Sequence, residues 1–204
     1  AVNEGDFVGL AAAGCSVVSA DIWLAGGSTA VGRTSLLTLS NPTEVPATVN
    51  LELFGEDGAI IAPGTSGIVV PASGQRVLSL AGFAPDVTSP VVHITSTGGQ
   101  VTAELQQSIV RGLVPGGVDI VGPTTPPSLD NVIPGLVISG GAAVQALQGG
   151  GAGFDDVLTV LRLFAPGTGT VETTISVVPE DGTGTGTSFA FEVDAGRVTE
   201  IPIP

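Results

Sequence analysis

The sequence has no lysine, methionine or tyrosine, and only one each of tryptophan (Trp23), histidine (His93) and cysteine (Cys15). Each scarcity excludes something. One cysteine forbids an intrachain disulfide and a thiolate metal site, and a single His–Cys pair falls short of the ligands a transition metal takes. All five cations are arginines (33, 76, 111, 162 and 197) against 19 acids, for a net charge of −14. Five scattered arginines cannot neutralise a phosphate backbone or hold an anionic membrane surface, so neither nucleic acid nor such a membrane is an expected partner. No apolar run reaches the roughly 18 residues of a transmembrane helix, because glycine, proline or a charge interrupts each one. The first residues carry Glu4 and Asp6 in place of the cationic start of a signal peptide. Export therefore requires a signal or anchor outside this sequence.

What is abundant is small and aliphatic. The 204 residues include 31 Gly and 15 Pro, yet 43% are hydrophobic. That is enough to bury a core, so the glycines and prolines read as turn punctuation between short strands. With aromatics at 4%, the core must be built from Val, Ile, Leu and Ala.

Period-two alternation recurs and helical periodicity is nearly absent. In 47–53 Val49, Leu51 and Leu53 face one way, Asn50 and Glu52 the other, and Glu56-Asp57-Gly58 follows as a hairpin signal. Similar runs occupy 36–39, 68–70, 76–80, 91–95 and 101–109, with Thr97-Gly98-Gly99-Gln100 reading as a tight turn that makes 91–109 a hairpin. The fold expected is all-β, with immunoglobulin-like sandwiches in tandem.

Tandem, because the second half echoes the first. Asn41-Pro42, the alternating strand at 47–53 and Glu56-Asp57-Gly58 return as Ala165-Pro166, the strand at 170–178 and Glu180-Asp181-Gly182, shifted by 124 residues at Pro42/Pro166. Gly74-Gln75-Arg76-Val77 is echoed by Ala195-Gly196-Arg197-Val198. The proline-rich stretch 122–127 separates a first sandwich with an N-terminal extension (1–122) from a second (123–204). Acids and arginines number 10 and 3 before this point and 9 and 2 after it, so each part carries −7. The pair of strands at 91–109 has no counterpart, so the second copy is incomplete at its C-terminal end. That predicts an open, apolar edge there, to be filled by residues 1–20, by another chain or by a continuation past Pro204.

Trp23-Leu24-Ala25-Gly26-Gly27, Gly32-Arg33-Thr34, Leu39-Ser40-Asn41-Pro42, Gly67–Pro71, Gln75-Arg76-Val77 and Ser89–His93 form a distinctive order. Together they resemble a family of exported, envelope-associated actinobacterial proteins known only as a domain of unknown function. The resemblance implies a signal peptide or anchor upstream, β-rich extracytoplasmic domains and no established activity. It brings no functional residues with it.

Chemistry is sparse. His93 lies between Val92 and Ile94, so alternation turns its imidazole outward; as a catalytic base it would serve a Ser/His/Asp triad or a dyad with Cys15, and no Gly-x-Ser-x-Gly elbow is present. Cys15 itself reads as a buried free thiol. The acidic pairs Glu56-Asp57, Asp155-Asp156 and Glu180-Asp181 lack the spacing of a calcium loop. The glycine runs at 149–153 and 182–187 are not followed by the Lys-Ser or Lys-Thr of a phosphate loop and read as flexible hairpin loops. Trp23 reads as a core anchor. The expectation is therefore a non-enzyme without metal or cofactor: a structural or adhesive module whose partner is a cell-envelope protein or polysaccharide. His93, Gln106 and Gln107 form the polar surface where binding is expected. The opposing reading is a carbohydrate-active enzyme or accessory glycan-binding domain working through paired carboxylates in a cleft.

Overall fold

The period-two runs become antiparallel strands in the structure, a computed structural model that describes residues 2–4, 7–136, 141–149, 154, 157–179 and 186–203. The chain divides into two units, Ala1–Pro126 and Pro127–Pro204. A backbone hydrogen bond from Thr124 N to Trp23 O, 2.8 Å long, ties the stretch beyond residue 122 to the first unit.

The first unit begins with a small ladder of β1 (Val2–Glu4) and β2 (Phe7–Gly9). Two larger sheets follow. The second strand set starts with β3 (Asp21–Ala25), β4 (Arg33–Asn41), β5 (Ala47–Gly55), β6 (Gly58–Ile60), β7 (Ile68–Val70) and β8 (Gly74–Ser79). It ends with β9 (Val91–Gly98), β10 (Thr102–Arg111) and β11 (Val114–Val121). One sheet has the order β11-β10-β4-β8; the other runs β3-β9-β5-β6, with β7 pairing the remaining half of β5. All of these pairings are antiparallel.

Alternation places the core between the sheets. On β5 Ala47, Val49, Leu51 and Leu53 are buried while Thr48 and Glu52 are exposed. Leu37, Leu39, Leu105, Leu24, Val92 and Ile94 pack in the same interior, each 0% exposed. Full burial of one such side chain contributes about 1.5–3 kcal/mol. The aliphatic composition thus becomes an aliphatic core.

Three expectations are corrected. Residues 91–109 do not form a hairpin: β9 pairs β3 and β5, whereas β10 pairs β4 and β11. The chain crosses between sheets at Gly98–Val101, and Gly98 makes the crossing with φ +82°, where a side chain would stand 2.6 Å from Pro46 O. Asn41, 1% exposed, braces the neighbouring loop. Its Nδ2 donates to Val45 O (2.8 Å) and Val70 O (3.2 Å), and its Oδ1 accepts from Thr43 N (2.9 Å) and Thr43 Oγ1 (2.7 Å). Second, the hairpin partner of β10 is β11, a strand interrupted by Pro115, Gly116 and Gly117. Third, a helix is present, α1 (Gly141–Gly149), in which Ala, Leu and Gln, all good helix formers, outweigh a single Val. The glycines expected to form a loop with Gly149, at 150–153, lie outside the described residues.

The second unit holds α1 and two ladders. β12 (Val160–Phe164) pairs β15 (Val198–Pro202), and β13 (Thr170–Val177) pairs β14 (Thr187–Asp194). The 124-residue shift lays β4 on β12 and β5 on β13, and the pairings recur with it. β4 pairs β8 as β12 pairs β15, and Ala47↔Val70 of β5·β7 corresponds to Val171↔Val193 of β13·β14. In the first unit β10 and β9 occupy the other sides of β4 and β5. Among the described residues of the second unit, β12 and β13 have one ladder partner each.

Candidate functional site

β9 runs through the middle of the β3-β9-β5 sheet, and its inward positions belong to Val92 and Ile94. His93 therefore faces away from the core, as alternation requires. The imidazole is nevertheless enclosed, with its side chain only 15% exposed. Trp23 sits directly opposite on β3, the two rings stacked with centroids 4.0 Å apart and planes 10° from parallel. Glu52 sits opposite on β5, with Oε2 2.7 Å from His93 Nδ1. Asp21 Oδ1 lies 3.3 Å from His93 Nε2. Ionised carboxylates only accept, so both contacts are complete when each ring nitrogen carries its hydrogen. Phe54 extends the patch, its ring stacked 6.5 Å from that of Trp23. The result is a small aromatic cluster on an outer sheet face, with two exposed carboxylates at its rim.

Trp23 is thus no core anchor. Ile22 and Leu24 take the inward positions of β3, at 4% and 0% exposure, and parity alone puts Trp23 outside. That signal was present in the sequence 21–25.

The other expected residues stand elsewhere. Gln106 and Gln107 are on β10, in the opposite sheet from His93, because the chain changes sheets at Gly98–Val101. Gln106 is exposed; Gln107 Nε2 donates to Asp119 Oδ2 across to β11 at 3.4 Å. The three residues do not form one polar surface. Cys15, expected to be buried, is exposed, in a stretch without regular secondary structure.

The remaining sequence features resolve into scaffold. Gly32, φ +77°, lies against the carbonyl of Val110, and its own oxygen accepts from Val110 N at 2.8 Å. Ser35 Oγ donates to Ser28 O (2.8 Å) and accepts from Ser28 N (2.9 Å). Glu56 and Asp57 form the two-residue turn closed by the pair Gly55↔Gly58. The pairs at 155–156 and 180–181 lie outside the described residues. Arg33 is drawn below the ordinary guanidinium range by burial and by the neighbouring charge of Arg111. At the end of β4 and β8 a shallow depression of about 340 Å³ is lined by Ser40, Asn41, Pro42, Ser73, Gly74 and Gln75. Among the described residues no group of three or more His, Cys, Asp or Glu is placed to hold a metal ion, and no helix is long and apolar enough to cross a membrane.

A family model described as "Family of unknown function (DUF5719)" matches residues 1–204. No curated protein and no solved structure matches the chain.

Proposed function

The chain belongs to that family of unknown function, and from this premise we propose that it is an exported, non-catalytic structural or adhesive module of an actinobacterial cell envelope. It binds an envelope protein or a wall component through its sheet faces and edges. The observation that carries this reading is the second unit. Val171, Val177 and Phe189 lie on the face of the β13·β14 ladder that corresponds to a core face in the first unit, yet they are 42%, 47% and 39% exposed. A half-covered apolar strand face is what an interaction module presents.

The non-catalytic character is supported by His93. Both of its ring nitrogens are engaged by carboxylates and one ring face lies against Trp23, an arrangement suited to bracing three strands. Placement outside the cytoplasm rests on the sequence resemblance.

The test is co-sedimentation of the purified protein with actinobacterial cell-wall sacculi, with and without their attached polysaccharide. Retention is expected; release on stripping identifies a wall glycan as the partner, and retention on stripped sacculi a protein or peptidoglycan. No retention on either preparation defeats the wall-binding reading.

A glycan-binding reading gains from one finding. Trp23 and Phe54 lie on an outer face with Asp21 and Glu52 beside them, and sugar rings stack on aromatic side chains while their hydroxyls donate to carboxylates. Quenching or enhancement of Trp23 emission by soluble wall polysaccharide tests it.

A further inference from the structure

Resting on the adhesive reading, we propose that one end of the first unit captures a segment of a partner protein that carries acidic and aliphatic side chains together. Arg33 and Arg111 take its carboxylate, and the turns that bear Val31 and Leu113 take its apolar side chains.

Antiparallel pairing brings the two arginines to the same corner. β4 begins where β10 ends, so Arg33 stands directly opposite Ile109, and the two side chains share a face. Gly32 O accepts from Val110 N at 2.8 Å, which joins the loop before β4 to the end of β10. β10 then turns through Gly112, φ +63°, into β11. Arg111 folds back over that hairpin: a Cβ on Gly116 would stand 2.6 Å from Arg111 Nη1 and 2.8 Å from Ile109 Cγ2. Ile109 thus has Arg33 beside it on one strand and the guanidinium of Arg111 beside it from the other. Two of the three arginines of the first unit meet here, in a chain of 19 acids. Like charges brought together and partly buried cost stability, and Arg33 is the residue whose charged form burial and Arg111 disfavour. The tips of both turns are apolar, where turns ordinarily carry Gly, Asn or Asp. Val31 and Leu113 are each 97% exposed. One exposed aliphatic side chain needs no explanation; two on neighbouring turns, astride an arginine pair, mark a contact surface.

Charge and polarity name the occupant. A guanidinium offers a planar fork of N–H donors that matches the two oxygens of a carboxylate. The apolar tips require hydrocarbon beside that anion, which a peptide of acidic and aliphatic residues supplies and an acidic polysaccharide does not. A net charge of −14 opposes the approach of an anionic bilayer and of a second copy alike. A short acidic segment on a partner of different overall charge meets no such barrier.

The probes are two end-blocked synthetic peptides, Leu-Glu-Val-Glu-Leu and its counterpart Leu-Gln-Val-Gln-Leu, titrated into the full chain. The readout is the NMR signals of the arginine Nε–H groups and of the Leu113 amide. The glutamate peptide is expected to shift the signals of Arg33, Arg111 and Leu113 together, and the glutamine peptide to bind at least about tenfold more weakly. Arg111→Gln is expected to remove the preference for glutamate. Leu113→Ser, at an exposed tip where folding is not at stake, is expected to weaken both peptides. Arg76→Gln, far along β8 from this corner, should change neither. No shift with either peptide at millimolar concentration, in a chain still retained by sacculi, overturns the proposal and leaves the adhesive reading intact. The expected shifts without sacculus retention uphold the site and defeat wall binding. Equal response to both peptides overturns carboxylate recognition, and an equal loss in Arg76→Gln reduces the effect to overall charge and overturns it as well. Binding to phosphatidylglycerol vesicles without a peptide response makes a membrane the occupant, and a dimer that Arg111→Gln dissociates makes it a second copy; either result overturns the foreign protein.

Discussion

Trp23 and His93 face one another across β3 and β9, ring centroids 4.0 Å apart and planes nearly parallel. The imidazole is held in that position by Glu52 on the next strand and by Asp21. Three strands of one sheet are thereby clipped together on the face opposite the core. The single histidine of the sequence thus braces this sheet.

His93→Ala exposes one face of the only tryptophan. Emission from Trp23 is expected to shift to longer wavelength, with a stability loss of about 0.5–1.5 kcal/mol for the ring pair. An unchanged emission spectrum would contradict the stack; urea unfolding reads the stability.

Asn41→Ala takes the side-chain partner from the Thr43 N–H and one donor each from the carbonyls of Val70 and of Val45, the latter keeping Thr43 Oγ1. Buried groups left unsatisfied cost about 1–3 kcal/mol, so a loss near the top of that range is expected in the urea midpoint. A loss below half a kcal/mol would show the loop re-satisfying itself.

Gly98→Ala and Gly82→Ala form a matched pair. At Gly98 the backbone has φ +82° and a Cβ would meet Pro46 O; at Gly82 nothing lies within 4 Å. The first is expected to destabilise by about 1–3 kcal/mol. The second should stay within about 0.5 kcal/mol of the parent. Similar melting temperatures for the two would refute the strained turn at Gly98.

Leu37→Ala opens a cavity in the middle of the core and is expected to cost about 2–5 kcal/mol. Leu129→Ala, at a fully exposed position, should leave the unfolding curve where it was. Equal effects would place the core elsewhere.

Glu172→Thr removes the repulsion with Glu192, which stands directly opposite on β14, and supplies a strand-favouring side chain. A gain of about 0.2–1 kcal/mol is expected, shrinking as salt screens the parent. Melting at low and high ionic strength checks both the sign and the salt dependence.

How much of this was legible in the residues differs from strand to strand. β5 was, because Val49, Leu51 and Leu53 alternate with polar residues and a two-residue turn closes its end. β11 was not. Pro115, Gly116 and Gly117 read locally as a loop, and they are tolerated because the strand lies at the sheet edge, with a register shift between Ile109 and Val110 of β10. Trp23 was misplaced by size: a large apolar ring suggested the core, while the parity set by Ile22 and Leu24 decided otherwise.

The sequence by itself determined that the chain is all-β, that its core is aliphatic and that its second half echoes its first. Those conclusions follow from composition and from a period of two, which are local properties. Which strands neighbour one another was decided only in the tertiary structure. That is why His93 met Trp23, Asp21 and Glu52 and did not meet Gln106 or Gln107. Ladder pairing joins residues far apart in the chain, as Trp23 and His93 are, and strand preference expresses packing against such neighbours more than any intrinsic bias of the backbone.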